Sequence, residues 1–69
     1  MGWAALIDKE QEVAVFTCTT SNRAFGPIVS IRDMRELTRK FTRFGIDPRK
    51  HPDPIVLSSG VTWTNGAEQ

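Results

Sequence analysis

Hydrophobic positions along the chain recur with two different periods. Between residues 30 and 45 the apolar residues Ile31, Met34, Leu37, Phe41 and Phe44 follow one another at spacings of three, three, four and three. At 100° per residue they fall in one arc, which predicts an amphipathic helix over residues 31–44. Both of its ends are signalled. Ser30 is placed to cap the free N–H groups of the first turn, Asp33 stands at the capping-box position, and Val29 and Met34 can close a hydrophobic staple. Gly45 suits the left-handed conformation that ends a helix, and Pro48 opposes a restart.

Outside this segment the pattern shortens to apolar runs and alternation. Residues 3–7 (Trp-Ala-Ala-Leu-Ile) are an apolar run closed by the polar Asp8-Lys9-Glu10-Gln11-Glu12, which reads as a strand and a turn. Residues 12–20 alternate loosely and are rich in Val, Phe and Thr, so they predict a second strand returning antiparallel to the first. Residues 55–64 set Ile55, Leu57, Val61 and Trp63 on one face and predict a third strand, with Gly60 marking a bulge. Residues 21–27 read as a connecting loop in which Phe25 either plugs the core edge or faces a partner. Pro48, Pro52 and Pro54 make residues 47–54 an extended connection.

The predicted order is therefore β-β-α-β, a small single-domain α+β fold with a three-stranded sheet and one amphipathic helix packed on one face. A right-handed crossover within one sheet would put the first strand in the middle, in spatial order 2-1-3, and the alternative sets the third strand beside the second. One helix covers one face only. Ala4, Leu6 and Phe16 would need cover from loops or from a second copy, so a homodimer is expected, with Phe16, Phe25 and Trp63 as candidate interface residues.

Composition narrows the class. In 69 residues, 39% hydrophobic and 25% charged, the balance is that of a globular domain and not of a disordered tail. The usual staples of small domains are missing, since one cysteine forms no internal disulfide and one cysteine with one histidine cannot furnish a four-ligand metal site. The glycines are scattered, so no cofactor-binding loop is expected. No apolar run approaches the roughly 20 residues of a membrane span, and the N-terminus lacks the features of a signal peptide. Leu6 stands where an acylation signal beginning Met1-Gly2 would need Ser or Thr. A cytoplasmic location is expected, and the lone Cys18 fits a reducing compartment.

Charge changes the picture more. Residues 30–51 carry seven basic and three acidic residues, a local balance of +4, against two basic and three acidic residues in 1–29. On the helical wheel Arg32, Arg35, Arg39 and Arg43 lie within about 80° of one another, opposite the apolar stripe. Lys40 stands at the margin, Arg49 and Lys50 extend the patch, and Glu36 can pair with Arg32, Arg39 or Lys40 at helical spacing. Catalytic chemistry finds no comparable support. His51 lies in the proline-rich loop, a Cys18–His51 pair lacks an orienting third group, and Ser58-Ser59-Gly60 lacks the frame of a nucleophile elbow.

The expected function is thus a small non-enzymatic binding module, regulatory in kind, whose basic face over residues 30–50 contacts nucleic acid. Arginines on successive turns can follow phosphates, and with no base-reading motif the contact would be to the backbone. The alternative is a protein-binding or self-associating adaptor or inhibitor, with an acidic protein as partner or with the Arg face as plain solvated surface.

Overall fold

The computed structural model of the chain describes residues 3–51 and 53–65. Met1, Gly2, Pro52 and residues 66–69 lie outside them, and with them the acylation-like start and one of the three loop prolines. Six elements follow in order: β1 (Trp3–Asp8), β2 (Val13–Cys18), β3 (Ala24–Ser30), α1 (Ile31–Phe44), β4 (Ile55–Val56) and β5 (Thr62–Trp63). β1, β2 and β3 form a three-stranded antiparallel sheet in that spatial order, and α1 packs against it. The α+β class and the single covering helix agree with the sequence.

The connectivity does not, in two places. The third strand of the sheet precedes the helix, so β2 and not the first strand is central, and no crossover joins β2 to a later strand. Residues 24–30 escape detection because Gly26-Pro27 is a turn signal that here sits inside a strand. Ala14 faces Val29 and Phe16 faces Phe25, which leaves Gly26, Pro27 and Ile28 opposite Val15 alone. This bulge absorbs the glycine and proline while returning both Phe25 and Val29 to the buried face.

Residues 55–64 form a separate two-stranded hairpin, with Ile55 opposite Trp63 and Val56 opposite Thr62. Its turn is closed by the Leu57 N–H donating to the Val61 carbonyl at 2.8 Å and the Gly60 N–H donating to the Leu57 carbonyl at 2.9 Å. Gly60 therefore turns the chain where a bulge was expected, and Val61 is exposed.

The helix has the bounds its pattern predicts, and each end is held as read. Ser30 Oγ accepts the Asp33 N–H at 3.1 Å. Gly45 is left-handed, its N–H donates to the Thr42 carbonyl at 3.4 Å, and the Ile46 N–H reaches the Phe41 carbonyl at 3.0 Å. That pair of bonds is a Schellman motif. The inner face sends Met34, Leu37 and Phe41 into a core completed by Ala14, Phe16, Cys18, Phe25, Val29, Leu57 and Trp63. At its centre the aromatic rings meet edge to face, Phe16 with Phe41 at 5.1 Å and Phe41 with Trp63 at 5.2 Å between centroids. Trp3 adds a third edge contact to Phe16 at 4.7 Å.

Phe16, Phe25 and Trp63, the candidate interface residues, are 0%, 1% and 0% exposed and belong to this core. They offer nothing to a partner, because the helix and the β4–β5 hairpin cover the sheet face that carries them. The open face is the other one. Leu6 pairs with Val15 across β1 and β2, and Leu6 and Ile28 remain 62% and 70% exposed.

Candidate functional site

Seven basic residues were drawn together by sequence, and the fold separates them into two groups. Arg32, Arg35, Arg39 and Arg43 project from the solvent side of α1, all exposed, and none has an acidic partner among the described residues. Helical rise places Arg32 and Arg43 about 16 Å apart along the axis. Lys40 is half-buried at the edge of this ridge and pairs with Glu36 at 3.4 Å.

Glu36, the one carboxylate within the ridge, is engaged by Ser58 and Lys40. Its two oxygens accept the Ser58 N–H at 3.2 and 3.3 Å, which ties the β4–β5 hairpin to the helix flank. Burial disfavours its charge, but the Ser58 backbone and hydroxyl and the Lys40 ammonium outweigh that and hold the carboxyl below its ordinary range. None of the four ridge arginines lies within ion-pair distance of it.

Arg49 belongs to a different structure. Its guanidinium grips Asp47 at 2.7 Å, and its Nη1 lies 3.9 Å from Cys18 Sγ at the end of β2. The Arg49 contact is the main cause of the lowered Asp47 pKa, and Asp47 in turn pushes that of Arg49 up. The Arg49 carbonyl also accepts from the Asn65 side chain. Arg49 is a tie between the loop, the sheet and the hairpin, and only Lys50 of the loop pair is exposed.

Cys18 is buried, and its thiol is lowered to about 7 by the Ser21 hydroxyl and by the Ser21 and Thr20 backbone, against the effect of burial, with Arg49 assisting. His51 sets its ring against Phe41 at 6.0 Å, edge to face. Among the described residues no three His, Cys, Asp or Glu side chains group as metal ligands. No helix among them is long and apolar enough to cross a membrane.

One residue of the site departs from the helical pattern. Phe44 completes the apolar arc in sequence, yet it is 67% exposed, with the Arg43 guanidinium 5.7 Å above its ring centroid. Its ring lines an open depression instead of the core, and periodicity carries no information about what packs over each position of the arc.

The fold and site together define a small α+β domain with a charged helix face and an open, apolar sheet face. Compared with known proteins, the chain matches no family model, no curated protein and no solved structure.

Proposed function

We propose that the chain is a small non-enzymatic module that docks on the backbone of nucleic acid through Arg32, Arg35, Arg39 and Arg43. The observation that supports this is that Ser58 and Lys40 engage Glu36, which leaves four exposed guanidiniums on one helix face without an ion-pair partner among the described residues. Each strand of a duplex carries a phosphate about every 3.4 Å of axis, so the ridge lies beside about five of them. Guanidiniums are suited to this because their planar forks grip phosphate oxygens in pairs.

The test is salt dependence, read by fluorescence anisotropy on a labelled nucleic acid. With four phosphates neutralised, log affinity is expected to fall against log salt with a slope of about −3.6 on a duplex, and Arg39→Ala to flatten it by about 0.9. Absence of binding at about 50 mM salt, or an unchanged slope in Arg39→Ala, overturns the assignment.

A second reading, self-association, is favoured by the exposure of Leu6 and Ile28 on the uncovered sheet face. They line a shallow apolar depression with Val13, Val15 and Ile7, bordered by Asp8 and Lys9. Such a face suits a copy of itself about a two-fold axis. Sedimentation equilibrium at micromolar concentration is expected to give a two-chain mass for the native chain and a one-chain mass for Leu6→Lys. A one-chain mass at every concentration for both rejects it.

A further inference from the structure

Resting on the assignment of the ridge to nucleic acid, we infer that its ligand is single-stranded, with one base stacked on the exposed ring of Phe44 and the adjoining phosphates on Arg39 and Arg43. Phe44 is an aromatic side chain in the last turn of the helix, on the same open depression as Arg39, Arg43, Ser58 and the Glu36–Lys40 pair. It packs on nothing in the core, being 67% exposed while Phe41, one turn earlier, is wholly buried.

A ring so placed distinguishes the two forms of nucleic acid. In a duplex the base faces are stacked on one another, and an outer helix ridge meets only phosphates and sugars. The arginines would then be used and Phe44 would not. A single strand presents unstacked bases, every one of which has a π-face, and proteins that bind single strands pair a basic track with aromatic platforms. Phe44 beside Arg39 and Arg43 supplies both. Arg43 already lies over the ring at 5.7 Å, which shows that the ring is accessible to a flat cationic group. Its side chain is long and surface-borne, so it can swing to yield the ring to a base or close over the far side of that base. Nothing in this arrangement reads the 2′-hydroxyl, so a strand of either sugar fits.

The experiment compares labelled oligothymidylate, oligouridylate and a duplex of equal length at about 50 mM salt. Phe44→Leu keeps the apolar bulk and removes the π-face, and it is expected to weaken both single strands about tenfold while leaving the duplex within about twofold. Phe44→Trp is expected to restore single-strand affinity. Because Phe44 is exposed, thermal melts should show both variants folded like the native chain. Unchanged single-strand affinity in Phe44→Leu, or an equal loss on strand and duplex, overturns the stacking. If Arg39→Ala still weakens binding in that case, the ridge assignment survives without it, and failure of the native chain to bind any of the three probes overturns both.

Discussion

Phe41→Ala is expected to leave the chain largely unfolded at 25 °C. Phe41 is fully buried and is the ring on which the others converge, with edge contacts to Phe16, Trp63, Trp3 and His51 at 5.1, 5.2, 6.2 and 6.0 Å. Truncating a core phenylalanine costs about 3–5 kcal/mol, and each aromatic pair is worth about 0.5–1.5 kcal/mol beyond area burial. In a chain of 69 residues a single core rarely supplies more than about 3–5 kcal/mol of net stability. The loss takes most of it. Urea titration followed by circular dichroism should show no folded baseline for the variant, whereas Phe44→Ala, the same change three residues on at an exposed position, should stay within about 0.5 kcal/mol of the native chain. A Phe41→Ala midpoint close to that of Phe44→Ala would mean that the rings do not pack as described.

The contrast between those two phenylalanines also marks how far the sequence can be read. The helix was legible to the residue because its signals are local: a serine before the first turn, a glycine after the last, and a three-four spacing between. Its inner face was legible through Phe41, whereas Phe44, on the same arc, is exposed. Strand β3 was hidden by Gly26-Pro27, and its two inward residues, Phe25 and Val29, are four apart because a bulge lengthens the strand, so neither alternation nor turn chemistry announces it. The β4–β5 hairpin was hidden for the opposite reason. Ile55 and Trp63 share a face whether the segment runs straight or folds back, so alternation survives the turn and conceals it.

Within the candidate site, the four ridge arginines follow from helical spacing alone and needed no tertiary information. Arg49 did. Net charge counts it with the patch, but Asp47 two residues earlier captures its guanidinium and leaves it bridging loop and sheet. Glu36 pairs within the helix, with Lys40 at 3.4 Å, as its spacing allows. Only the fold shows that the hairpin backbone at Ser58, 22 residues on, shares that carboxylate.

Gly26→Ala is expected to cost more than the same change at Gly45 or Gly60, the other described glycines. Gly26 has φ +77°, where a side chain is strained by about 1–2 kcal/mol whatever surrounds it. Here the surroundings add to that strain. A Cβ at this position would overlap Trp63 Nε1 and would sit 2.5 Å from Trp63 Cε2 and 2.8 Å from the Thr64 carbonyl oxygen. Neither neighbour yields easily, because the indole is 0% exposed within the aromatic cluster and the carbonyl is backbone. Overpacking of this kind costs about 1–3 kcal/mol more, and in a domain of this size each kcal/mol lowers Tm by about 4–8 °C. Gly60 supplies the control. It has φ +92° with nothing within 4 Å of its added Cβ, so Gly60→Ala measures backbone strain alone. A thermal melt should place Gly60→Ala about 5–15 °C below the native chain and Gly26→Ala about 4–24 °C further below that, the difference being the steric part. That difference reports directly on how closely the β4–β5 hairpin is seated against β3. Equal losses in the two variants would mean that Trp63 stands away from Gly26 in solution and that the hairpin, with Ser58 and its hold on Glu36, is not docked as the core arrangement requires.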